Sequence, residues 1–162
     1  VLVTATWAYD LVLCLHVLSA FTLVAGVVVA GVGFEVARRQ QGSAEIALLL
    51  GLTRIGALLV MAGALGAAGF GLWLVDLGDW GYGTPWVDVA IALLTTSTVV
   101  GAVAGQPAKR ARRLARRLAA DRQPPSAELR SLLDGRVALV LNYCSAVILV
   151  GIIVDMLVKP GS

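Results

Sequence analysis

The chain has 162 residues, 59% hydrophobic and only 14% charged, with a mean hydropathy of +0.87; an ordinary soluble domain carries about 25% charged residues. This excludes a water-soluble globule and points to an all-α, four-helix transmembrane bundle forming a single domain over 1–162, because lipid can solvate long apolar blocks that a soluble fold would have to hide. The balance of 13 Lys and Arg against 10 Asp and Glu gives a net charge of only +3, so the placement of the basic residues says more than their sum.

Four runs, 11–34, 55–74, 86–104 and 137–158, are long enough to cross about 30 Å of hydrocarbon at 1.5 Å per residue. No basic stretch precedes the first run, and Trp7 and Asp10 stand where a signal peptide would carry Lys or Arg, so this run is expected to be a retained helix. Asp10 is expected near its N-terminus, where the helix dipole favours an acid. The second helix is expected to begin with Ser43 as N-cap and Glu45 in its first turn, with Arg54 near the inner interface and Glu35 as its partner. The loop 75–85 is rich in Gly and bounded by Trp, with Thr84 as N-cap and Pro85 in the first turn of the third helix. Beyond the third run, 108–120 reads as a basic amphipathic helix. Ala108, Ala111, Leu114, Ala115 and Leu118 recur at helical spacing, and Arg110, Arg112, Arg113, Arg116 and Arg117 lie on the rest of the cylinder. It is expected to lie on the cytoplasmic leaflet and bind anionic headgroups or a protein partner. Because the run is tethered between two spans, nucleic acid is not its expected ligand. Gln123, Pro124 and Pro125 break it, and Ser126 caps a new helix leading into the fourth span.

Basic residues favour the cytoplasmic side, and they crowd the first and third connections. Trp7, Tyr9, Trp73, Trp80, Tyr82 and Trp86 gather at the opposite interface. The expected placement is therefore the bacterial cytoplasmic membrane, with both termini outside.

Small residues predict where helices approach closely: Gly26 with Ala30, the run Gly63, Gly66, Gly69 and Gly71, and the pair Gly101 and Gly105. Chemistry converges on His16, the only histidine, which lies roughly 6 to 8 Å inside the outer boundary. It shares a helical face with Val12, Ser19 and Leu23, whereas Cys14, two residues away, points to the other side and cannot share a metal with it. A haem held by two histidines within one chain is excluded. Haem b held by His16 and Met156, or by His16 alone or shared between two copies, is the expectation for a cofactor. Of the outer carboxylates Asp10, Asp76, Asp88 and Asp155, the last can pair with Lys159. In the third run Thr95 and Thr98 can bond back to their own helix, while Asn142 in the fourth wants an interhelical partner. The residues show no nucleophile–base pair, phosphate loop or carboxylate relay, which leans against an enzyme.

The sequence Leu15–His16–Val17–Leu18–Ser19–Ala20, the turn 81–86, the Arg-rich segment and the closing Met156–Leu157–Val158–Lys159–Pro160 together resemble the bacterial domain-of-unknown-function family 2269 of predicted integral membrane proteins. The resemblance implies four helices and supplies no activity. A looser likeness, carried by His16 alone, links the first helix to copper-resistance D-type proteins and J-type protoporphyrinogen oxidases, in which a comparable histidine is associated with metal or haem chemistry. The function expected is that of a small accessory or assembly subunit packed against a larger respiratory or photosynthetic membrane complex, or a homo-oligomer. A haem-binding redox protein using His16 is the alternative.

Overall fold

A computed structural model describes residues 2–81 and 83–158, with the side chains of 2–6, 137, 138 and 142 outside the description. Every long apolar run is helical, since intrahelical hydrogen bonds are the way a single segment satisfies its backbone in lipid. The elements are α1 (Leu2–Arg39), α2 (Ser43–Leu77), α3 (Pro85–Ala120), α4 (Ala127–Leu133) and α5 (Arg136–Val158). The α1, α2, α3 and α5 helices are long and apolar enough to cross a membrane. They pack in chain order, α1 on α2, α2 on α3 and α3 on α5, while α1 and α5 barely touch.

Three of the helices outrun the bilayer. At 1.5 Å per residue the 38 residues of α1 reach about 57 Å, so each long helix projects well beyond the hydrocarbon. Asp10 accordingly stands eight residues into α1 and not at its start, as the sequence suggested. At the basic end the projecting segments build a small core of their own. Ala37 of α1, Ile46 and Leu50 of α2, Ala111 and Ala115 of α3, and Leu129 and Leu133 of α4 are wholly buried together.

The basic stretch 108–120 is not a separate helix. It continues α3 without a break through Pro107, and Ala111 and Ala115, with Leu114 and Leu118 beside them, pack on α2 and α4. Proline inside a helix removes one N–H, so the Val103 carbonyl loses its donor, and a cleft lined by Val103, Pro107, Ser131, Leu132 and Leu141 opens at that level.

Two elements start as expected. Ser126 caps α4, its Oγ accepting from the Leu129 N–H at 3.2 Å, and Pro85 opens α3 with Asp88 in the first turn. Two caps differ. Gly42 occupies the cap position of α2, and the Ser43 hydroxyl instead donates to the Gln123 carbonyl at 2.7 Å, tying the start of α2 to the segment after α3. Thr84 holds the cap position of α3, but its hydroxyl donates back to Gly81 O at 2.7 Å and caps nothing.

The α1–α2 hairpin is held by backbone approach. A Cβ on Gly26 would lie 2.6 Å from Val60 N, one on Gly56 2.6 Å from Ala30 N, and one on Gly63 2.7 Å from Leu23 Cα. Gly26 and Gly33, and likewise Gly56 and Gly63, stand seven residues apart, two turns along one face, so the contact repeats along the pair. The G-x-x-x-G pair of α3 behaves differently. Among the described residues a Cβ on Gly101 would meet Ser145 Oγ at 3.7 Å and one on Gly105 would meet nothing within 4 Å, so neither stands at a backbone approach as close as those of the hairpin.

Candidate functional site

His16 lies half-buried on the α1 face that meets α2. Its Nδ1 is 3.0 Å from the carbonyl oxygen of Ala67. In a helix that carbonyl also serves the N–H of residue 71, and a side chain there would shield it. Residue 71 is glycine, and a Cβ on it would sit 3.1 Å from His16 Cε1 and 3.2 Å from Nδ1. The missing side chain is therefore the space the imidazole occupies. A carbonyl only accepts, so Nδ1 carries the proton, and in the neutral ring Nε2 keeps its lone pair. One turn along, Ser19 presses on Gly66 and donates to Leu15 O at 2.8 Å. The pairing of His16 with Ala67 has no signature in the sequence beyond the glycines, because any residue can offer a carbonyl.

Met156 lies two residues before the end of α5. It packs against Val75, Trp86 and Val87, with Trp80 beside it. Tyr9, Trp80 and Trp86 form a run of edge-on rings with centroids 6.4 and 5.2 Å apart, joining α1, the α2–α3 loop and α3. Trp7 and Trp73 are exposed at the same end, and Tyr82 lies outside the described residues. Asp10, Asp76 and Asp88 are exposed, whereas Asp155 is 8% exposed, and its Oδ2 has no hydrogen-bond partner among the described residues. Its expected partner Lys159 lies outside them. No group of three His, Cys, Asp or Glu suited to a metal occurs among the described residues. Cys14 and Cys144 are both free and exposed.

At the basic end one arginine is built into the fold. Arg130 of α4 donates to Arg38 O at 3.2 Å, Gln40 O at 2.6 Å and Gln41 Oε1 at 3.2 Å. It thereby satisfies carbonyls at and just past the C-terminus of α1, where the dipole also favours a cation. Glu35 does not reach Arg54. It pairs within its own helix, at 2.7 Å with Arg39 and 3.5 Å with Arg38, because partners three and four residues away on a helix face lie nearest. Past the apolar part of α3, Arg112 is held below the ordinary arginine range, first by burial and then by the charges of Arg116, Arg54 and Arg113.

A family model described as a predicted integral membrane protein, domain of unknown function 2269, matches residues 10–160. The chain belongs to that family. No curated protein and no solved structure matches it. In this member of the 2269 family, four apolar helices and the match over nearly the whole chain agree on an integral membrane protein. His16 meets Ala67 and Gly71, and Met156 packs on the Val75, Trp86 and Val87 group. Of the glycines expected to pack, Gly26, Gly63 and Gly66 stand at close helix contacts, and Gly56, which was not among those expected, stands opposite Gly26 and Ala30. In α3, Thr95 and Thr98 donate to their own helix carbonyls at 2.8 Å, and Ser97 meets Ser145 of α5 at 3.5 Å. The Asn142 side chain lies outside the described residues.

Proposed function

We propose that this chain is an accessory or assembly subunit that packs against a larger complex in a bacterial cytoplasmic membrane. The observation that supports this reading is the outward face of α5. Val140, Tyr143, Val147, Val150, Val154 and Leu157 recur at alternating steps of three and four residues, and all are exposed, Tyr143 at 66%. That spacing is the pattern of a seam onto which a second helix packs. Lipid by itself asks only for apolar side chains and gives no reason for a phenol among them. The Tyr143 hydroxyl, about 10 Å into α5, is best served by an acceptor on a neighbouring helix.

The test is a photo-reactive residue placed at Val147, with one at Leu65 of α2 as control, followed by native electrophoresis after mild extraction. The expected outcome is a stoichiometric adduct from position 147, with the chain migrating in a larger assembly. Migration alone without an adduct overturns the reading, as does an adduct of twice the chain's own mass.

The His16 geometry favours a second reading, a haem b redox protein. An imidazole whose Nδ1–H is fixed by a carbonyl presents Nε2 as a ligand, the arrangement common at metal and haem centres. A second protein ligand would come from Met156 or from another chain. A reduced-minus-oxidised spectrum on wild type and His16→Ala decides. A Soret and α-band change abolished by the substitution supports haem, and a flat wild-type spectrum removes it.

A further inference from the structure

At the basic end α2 and α3 meet along a seam flanked by cations. Leu50 of α2 is buried against Ala111 and Ala115 of α3. One turn beyond Leu50 stands Arg54, exposed, and beside Ala111 and Ala115 stand Arg112 and Arg116, four residues apart on one edge of α3. The three cations flank one line of helix contact, and burial first, then the charges of Arg116, Arg54 and Arg113, hold Arg112 below the ordinary arginine range. The ion pairs found among the described residues are those of Glu35 with Arg38 and Arg39, and none of them involves Arg54, Arg112 or Arg116.

Past Arg54, the same face of α2 continues through Leu58, Met61 and Leu65, at four, seven and eleven residues, and these are 51%, 56% and 70% exposed. Eleven residues span about 16 Å, close to half the thickness of the hydrocarbon. A charged head with an apolar stripe one leaflet deep has the outline of a phospholipid.

We propose that Arg54, Arg112 and Arg116 seat the phosphate of an anionic phospholipid whose acyl chain lies along Leu58, Met61 and Leu65. Guanidinium groups match phosphate in charge and geometry. A zwitterionic headgroup adds an ammonium that these cations repel, so a net negative lipid is selected. Arg54 sits at the edge of the apolar run, at the depth of a headgroup phosphate, so the occupant is a membrane lipid and not a phosphate ion from water. The inference does not depend on the accessory-subunit reading.

The experiment uses the full chain in neutral detergent and follows its thermal transition during titration with phosphatidylglycerol, phosphatidylcholine or inorganic phosphate. Phosphatidylglycerol is expected to give a saturable upward shift, and the other two none. Arg54→Gln with Arg112→Gln is expected to weaken that binding about tenfold, whereas Arg110→Gln with Arg117→Gln, which removes the same charge from the opposite edge of α3, weakens it less than about threefold. Arg112→Gln with Arg116→Gln, both beyond the apolar stretch, repeats the test should the first pair not fold. Equal weakening by the two edges reduces the site to diffuse surface charge and overturns the proposal. A shift with phosphatidylcholine or inorganic phosphate equal to that with phosphatidylglycerol overturns it as well.

Discussion

The basic end and the α1–α2 hairpin hold the chain together by different means. At the basic end, Ile46, Leu50, Leu129 and Leu133 are wholly buried, packed as in the core of a soluble domain. Along the hairpin the contact is glycine on backbone, with Gly26, Gly56 and Gly63 letting the helices touch, while Leu58, Met61 and Leu65 stay exposed. The difference follows from the solvent. Where helices project past the hydrocarbon, burying Leu is favourable because water is the alternative. Between helices in lipid an exposed Leu costs nothing, so close packing and interhelical hydrogen bonds remain as the attraction.

Leu133→Ala breaks the first mode and is expected to show the largest effect. It should cost about 2–5 kcal/mol, from lost burial and an unfilled cavity, read as lowered thermal stability. A loss well under 1 kcal/mol would mean the basic end is not a packed core. Gly63→Ala addresses the second mode. Its methyl would meet Leu23 backbone, so the helices must part, at about 1–3 kcal/mol. Gly105→Ala, at a position with open space, should instead stabilise α3 by up to about 1 kcal/mol through helix propensity. If the two alanines act alike, backbone approach is not what holds the hairpin. His16→Leu has the smallest expected effect, about 0.6 kcal/mol and at most about 1.7, the range for one interhelical hydrogen bond in a membrane. A larger loss would point to a bound group lost along with the imidazole.

The spans were legible in the sequence because composition alone decides what lipid can solvate. What composition does not encode is which side chain finds which partner. Arg54 and Glu35 looked complementary, yet Arg38 and Arg39 lie on Glu35's own helix face and take it first. Arg130 carried no mark distinguishing it from its neighbours, since its role is to meet the carbonyls of Arg38 and Gln40, about ninety residues earlier in the chain. Pro107 does not break α3, because the segment after it is held in line by Ala111 and Ala115 packing against α2 and α4. Gly63 and Gly105 read alike as letters and differ only in the surface they face. His16 stood out from the first, but Ala67 could not, since its contribution is a backbone oxygen.

The unbroken course of α3 makes the chain a ruler. One helix of 36 residues, about 54 Å, carries Trp86 of the aromatic cluster near one end and Ala115 of the core, about 44 Å away, near the other. Neither end can be re-spaced without moving the other. The distance between the two headgroup planes is thus written into a single rigid element, and a bilayer that thickens or thins around it is met by tilt of the whole rod.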